Sequence, residues 1–243
     1  GGLSGSGTAD FNTVNINDNG GYGMNSNGDK TFVDVNIKQN SGYGVNGSGS
    51  VDLTDVVIRD NGGRGMQNFT SAFTAQNVIV SGNQNGGLVG SGSVAMTLTT
   101  VFIDSNSTST NGGGISLDGT INASDIKVRG NSGSQGGGVY LSGDITADSS
   151  YFDGNTGSNN GGGLKVSGTI DLTGCSVGNN HSNSNGGGVY LDGEGSLESV
   201  SVDDNSSGSQ GGGIFVEGTL ITHLSSVNSN SSGNKGGGIW ADG

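Results

Sequence analysis

Gly186-Gly187-Gly188-Val189-Tyr190-Leu191 is one copy of a stretch that recurs along the chain. Near-copies are Gly112-Gly113-Gly114-Ile115-Ser116-Leu117 and the stretches that start at Gly136, Gly161, Gly211 and Gly236, at intervals of 24 or 25 residues. Self-similarity at a fixed period of 20–50 residues is the signature of a stacked repeat. A second marker extends the period towards the start of the chain: an apolar residue followed three positions later by Asn. The pairs are Ile16/Asn19, Ile37/Asn40, Ile58/Asn61, Val80/Asn83, Ile103/Asn106, Val128/Asn131, Phe152/Asn155, Val177/Asn180, Val202/Asn205 and Val227/Asn230. The Asn-to-Asn steps are 21, 21, 22, 23, 25, 24, 25, 25 and 25 residues, which marks ten coils.

Counting back from the marker gives further columns. Two residues earlier stand Val14, Val35, Val56, Val78, Val101, Ile126, Ser150, Cys175, Val200 and Ser225, and five earlier the series runs from Phe11 and Phe32 to Leu197 and Thr222. Alternation inside each piece has period two, so the pieces are short strands with one buried face. Glycine and β-branched residues dominate and no 3.6-residue stripe persists, which argues against helices. The pattern predicts an all-β, single-stranded parallel β-helix, or β-solenoid, of about three short strands per coil. Each strand pairs with its copy in the next coil, at the ~4.8 Å strand spacing.

Residues 1–243 read as one continuous solenoid: short-turn coils over 1–83, a transitional coil over 84–106, and long-turn Gly-Gly-Gly coils over 107–243. The coils marked by Val80 and Ile103 carry one and two additional residues before the marker. The longer polar segments after Asn106, such as His181-Ser182-Asn183-Ser184-Asn185, are expected to form a solvent-facing ridge. Early coils replace the middle glycine, as in Gly21-Tyr22-Gly23 and Gly63-Arg64-Gly65, so that position is expected to face water. The outer glycines are expected to need positive φ or close backbone approach.

The Asn column admits two structural readings. Its side chains can bond to their copies above and below as an amide ladder, or Asn can serve as a residue that tolerates a left-handed turn. The expected ladder is Asn19, Asn40, Asn61, Asn83, Asn106, Asn131, Asn155, Asn180, Asn205 and Asn230.

Composition narrows function. Fifty-three glycines with no proline suit uninterrupted strand ladders. A net charge of −13 argues against nucleic acid and anionic membranes as partners. No apolar run reaches the ~18 residues that span a bilayer, so this segment is expected not to insert in a membrane. One cysteine, Cys175, cannot form an intrachain disulfide. It shares a column with valines and reads as a small buried residue.

The Gly-Gly-X-aliphatic and Phe-x-x-Asn elements resemble the repeats of chlamydial polymorphic outer-membrane proteins, and more broadly the passenger domains of bacterial autotransporters and surface adhesins. Phe152-Asp153-Gly154-Asn155 matches Phe-x-x-Asn literally. Gly136-Gly137-Gly138-Val139 has Gly where the family motif has Ala, and most coils have Val or Ile in place of Phe. The resemblance implies a right-handed β-helix exported to the cell surface or beyond, often for adhesion.

Enzymes on this fold act on acidic polysaccharides through clustered carboxylates with a calcium ion or a basic residue. Here the arginines are only Arg59, Arg64 and Arg129, and the acidic pair Asp203-Asp204 has no acidic counterpart in adjacent coils. His181 and His223 lie at unrelated coil positions, with no triad spacing. No catalytic, cofactor or metal residues are therefore expected; calcium on oxygen-rich turns such as Asp203-Asp204-Asn205 is the one alternative. Position two of the first strand is expected to face outward, and Tyr140, Tyr190, Phe215 and Trp240 form a candidate contact strip there. Aromatic pairing that stabilises the sheet and a surface for sugars or proteins both fit it.

The expectation for function is a non-enzymatic extracellular rod, stalk or filament of structural or adhesive role, with itself end to end, or cell-surface glycans or proteins, as partners. The alternative is a carbohydrate-active or carbohydrate-binding β-helix. The chain opens at Gly1-Gly2-Leu3 and stops after Ile239-Trp240-Ala241-Asp242-Gly243, both inside coils. Uncapped coils predict continuation past both ends, by a longer chain or by stacking.

Overall fold

The computed structural model describes residues 2–242, and every regular element among them is a β-strand. All strand pairs are parallel, and each joins a strand to its copy one coil on. The chain is a β-solenoid. Parallel strands need long connections, and the remainder of each coil supplies them.

The inward columns are those of the repeat. Ile16 lies opposite Ile37, Ile37 opposite Ile58, Val128 opposite Phe152 and Val177 opposite Val202. The Phe11 column continues in register through Phe32, Leu53 and Ala75, and later through Ala147, Leu172 and Leu197. These side chains form one continuous apolar core that runs from Ile16 to Val216. Burying a column of Val, Ile and Leu stabilises the stack by about 1.5–3 kcal/mol per side chain.

The transitional coils keep this core by bulging outside it. Met66 and Leu88 stay in the column of Val45 and Ile115. The added residues appear as register shifts between Gln67 and Phe69 and between Ser116 and Asp118. Asn68, the residue pushed out at the first shift, has a φ of 65°.

Two left-handed corners recur in every coil. One precedes the Val14 column: Thr13, Asp34, Asp55, Asn77 and their counterparts have φ near 55°, for example 54° at Thr13 and 55° at Asn77. The other is the residue immediately before each ladder Asn, such as Asp18 (58°), Gln39 (56°), Gly154 (64°) and Asp204 (58°).

In the second half the polar segment after the Asn is more than a ridge. Ser132–Gly133, Thr156–Gly157, His181–Ser182, Ser206–Ser207 and Ser231–Ser232 pair in parallel as a separate five-stranded sheet, a fourth short strand in the coils from Asn131 on, which Ser107 joins by a single bridge to Ser132. Its second residue turns inward: Gly133, Gly157, Ser182 and Ser207 are buried. The Ser182 and Ser207 hydroxyls donate to the carbonyls of Asn185 and Gln210 and close the turn.

This fourth strand corrects the expectation for the middle glycine. In the early coils the position does carry outward side chains, and Tyr22 and Tyr43 stack with centroids 4.8 Å apart. In the long coils it has no room: a Cβ on Gly187 would lie 2.2 Å from the Gly212 carbonyl oxygen and 2.4 Å from that of Ser206. The outer two behave as expected there. Gly186 has a φ of 66°, and a Cβ on Gly188 would meet Asn205 Cγ at 3.0 Å.

Candidate functional site

The asparagine column is the most developed constellation of polar side chains in the molecule. From Asn40 onward the Oδ1 of each ladder Asn accepts two bonds from the Asn of the preceding coil, one from its backbone N–H and one from its side-chain Nδ2. For Asn155 both donors belong to Asn131 and both distances are 3.0 Å. Its own Nδ2 donates to Asn180 Oδ1 at 3.0 Å and to the Val128 carbonyl at 2.9 Å. The same links join Asn19 to Asn40, Asn40 to Asn61, and so on through Asn83, Asn106, Asn180 and Asn205 to Asn230. From Asn40 to Asn205 these side chains are at most 1% exposed, while Asn19 and Asn230 at the two ends of the ladder are half-buried.

This geometry decides between the two readings of the column. The left-handed residue is the one before each Asn, so Asn is present for its amide rather than for its backbone tolerance. The glycine before the first strand belongs to the same device. A Cβ on Gly163 would lie 3.0 Å from Asn180 Nδ2, so the absent side chain is the room in which the amide sits.

The aromatic strip is stacked as expected but is not exposed as expected. Tyr190 and Phe215 have centroids 4.8 Å apart, and Phe215 and Trp240 4.7 Å, with interplanar angles of 13°. Yet Tyr190 is 8% exposed and Phe215 only 2%. Phe215 lies between the Tyr190 and Trp240 rings, Tyr190 between Phe215 and the Lys165 side chain, and the chain returning from the long turn passes close by: a Cβ on Gly211 would lie 2.8 Å from Phe215 Cα. Tyr140 and Trp240 remain half-buried.

Lys165 continues the same column and is also covered. Its Nζ lies 4.6 Å from the Tyr190 ring centroid, donates to Ser167 Oγ at 2.6 Å and stands 4.0 Å from Asp192. Burial holds its ammonium below the usual lysine range, with the Asp192 and Glu217 carboxylates opposing. Burial, with Glu217 and Asp192 adding to it, pushes the Tyr190 phenol up. Further back the column becomes an amide ladder, in which Asn46 donates to Asn25 and accepts from Gln67, both at 2.8 Å.

Other candidate residues are scattered. Asp203 accepts from the Asn228 N–H at 2.9 Å and from Ser201 Oγ, and Asp204 forms a left-handed corner. His223 pairs with Glu198 at 2.7 Å on open surface. His181 Nδ1 meets Ser206 Oγ at 2.8 Å across coils, and its Nε2 meets Asn183 Oδ1 at 3.0 Å, a cross-coil relation that linear spacing concealed. Cys175 is buried against the carbonyls of Ala147 and Thr173, and burial raises its thiol pKa. Among the described residues no three His, Cys, Asp or Glu side chains converge as a metal would need. No helix among the described residues is long and apolar enough to cross a membrane.

One surface feature escaped the sequence reading. The outward position before the marker carries Val57, Ile79, Phe102, Lys127 and Tyr151 in successive coils. Ile79 is 41% and Tyr151 48% exposed, and Lys127 Nζ lies 4.8 Å from the Phe102 ring centroid. The signal was available in the same alternation that marks the inward columns.

The chain matches no known protein family, no characterised protein and no solved structure.

Proposed function

We propose that the chain is a non-enzymatic structural rod, a stalk or filament element that works outside the cell and holds or spaces what it connects. The observation that carries this reading is the unbroken amide ladder from Asn19 to Asn230. Nine inter-coil steps at ~4.8 Å give a ladder about 43 Å long. The specialised positions of the repeat, Asn, Gly and the left-handed corner, all serve coil-to-coil contact. The likeness of Phe152-Asp153-Gly154-Asn155 and its glycine partner to exported adhesin repeats supports the extracellular location.

A second reading, a β-helix that binds or cleaves glycans, is favoured by the outward-facing Phe102–Lys127–Tyr151 column, half-buried at Phe102 and Lys127 and exposed at Tyr151, whose aromatic and cationic groups suit sugar contact. One assay separates the two. The protein is incubated with neutral and acidic polysaccharides, with and without calcium, and both polymer length and retention on the polymer are measured. The rod predicts unchanged polymer and no retention. Cleavage lost in Asp203→Asn with Asp204→Asn, or retention lost in Tyr151→Ala, would replace the rod by the second reading.

A further inference from the structure

Four of the ladder asparagines lie in the acceptor sequence for N-linked glycosylation, Asn-x-Ser/Thr: Asn106-Ser107-Thr108, Asn180-His181-Ser182, Asn205-Ser206-Ser207 and Asn230-Ser231-Ser232. Three further acceptor sequences, at Asn46, Asn68 and Asn122, lie outside the ladder, and Asn122 is exposed. In glycosyl transfer from a lipid-linked oligosaccharide diphosphate, a bond forms between the amide Nδ2 and the sugar C1. The C1–O bond to the diphosphate breaks, and the amide gives up a proton. The product amide keeps one N–H.

The ladder needs both. Asn180 Nδ2 donates to Asn205 Oδ1 at 3.0 Å and to the Phe152 carbonyl at 2.8 Å. Asn106 and Asn205 likewise use two donors each, to Asn131 and Val80 and to Asn230 and Val177. Space forbids the sugar as firmly as bonding does. Asn106 and Asn180 are 0% exposed and Asn205 1%. A methyl-sized Cβ on the facing glycine would already lie 3.2 Å from Asn106 Nδ2 and 3.0 Å from Asn180 Nδ2.

We propose that N-glycosylation and folding are mutually exclusive for this chain: the enzyme that attaches N-glycans to nascent chains would modify ladder asparagines and block coil closure. The chain therefore matures by a route in which it does not meet lipid-linked oligosaccharide transfer before it folds. This conclusion concerns biogenesis and stands whether the folded rod is structural or binds glycans.

The test is to make the same chain in a bacterial cytosol without N-glycosyl transfer and through a eukaryotic secretory lumen that has it. A companion variant, Thr108→Gly with Ser182→Gly, Ser207→Gly and Ser232→Gly, removes the four acceptors and keeps every ladder Asn. Gly133 and Gly157 already occupy this column, so the substitutions match neighbouring coils. Cytosolic material of both chains is first compared by circular dichroism and protease resistance to establish that the variant folds. The expected result in the lumen is glycan at Asn106, Asn180 or Asn205, with at least a tenfold lower yield of protease-resistant product than the variant gives. Glycan at Asn122 is expected to be tolerated in both. Equal yields of folded wild type and variant from the lumen, with the ladder asparagines either modified or bare, would overturn the proposal.

Discussion

Replacing Asn155 by Leu tests the ladder at its middle. The substitution removes both bonds that Asn155 Oδ1 accepts from Asn131 and both that its Nδ2 donates. It leaves the Asn155 backbone N–H bonded to Asn180 Oδ1 at 2.9 Å. Two Asn131 donors are then orphaned at a site with almost no solvent. Each buried unsatisfied group costs about 1–3 kcal/mol, so the loss is about 2–6 kcal/mol. The added apolar burial of Leu offsets roughly 1–2 kcal/mol. The expected net destabilisation is about 3 kcal/mol. Asn19→Leu is the control: Asn19 is half-buried and its side chain makes one bond, to Asn40. It is expected to cost under about 1 kcal/mol. Urea unfolding followed by circular dichroism gives both values, and hydrogen exchange at the Asn131 backbone amide reports the orphaned donor directly. Equal midpoints for the two variants, with Asn131 exchange unchanged, would refute the reasoning.

Gly187→Ala should destabilise by about 3 kcal/mol or more, because its Cβ meets rigid backbone oxygens. Gly154→Ala should cost only about 1 kcal/mol, since its Cβ has nothing nearer than 3.9 Å and the penalty is left-handed φ alone; equal midpoints in urea would contradict both assignments. Leu224→Asn should stabilise by about 1 kcal/mol, because Leu224 holds a φ of 49° while 76% exposed; a lower midpoint would contradict this. Lys30 and Lys165 are buried, and burial lowers both ammonium pKa values from 10.5, so the folded state binds fewer protons than the unfolded state in the alkaline range. Stability should therefore rise with pH from the depressed folded values towards 10.5, until loss of the Tyr190 proton in the unfolded chain, above its ordinary value of 10.0, opposes it. The double variant Lys30→Met, Lys165→Met should lose that rise; an unchanged pH profile of the unfolding midpoint would contradict it.

The columns were legible because a solenoid meets itself at every period, so alignment of the chain with itself already identifies which side chains touch. Ile16, Ile37 and Ile58, or Ala147, Leu172 and Leu197, stack where the count placed them. The corner before each ladder Asn was not legible, because Asp, Gln, Gly, Ser and Asn all occupy it in different coils. Its constraint is on φ, and several short polar side chains satisfy that. The burial of Tyr190 and Phe215 was hidden for another reason. Alternation tells which side of a strand a residue is on, but not what the chain does outside that strand. The polar segments after Asn180 and Asn205 looked like a solvated ridge; they form a fourth strand whose return covers the rings. Lys30 stands in an inward column between Ala9 and Val51, where sequence predicts an apolar residue, and its ammonium is satisfied by the carbonyls of Gly28 and Ser48 at 2.7 Å.

Hydrogen exchange of the asparagine side-chain amides, resolved by NMR, tests the continuous ladder most directly. Both Nδ2 protons of Asn40, Asn61, Asn83, Asn106, Asn131, Asn155, Asn180 and Asn205 are bonded and buried. They should exchange orders of magnitude more slowly than those of exposed Asn12. Exchange of the Asn106 and Asn155 side-chain protons as fast as that of Asn12 would contradict it.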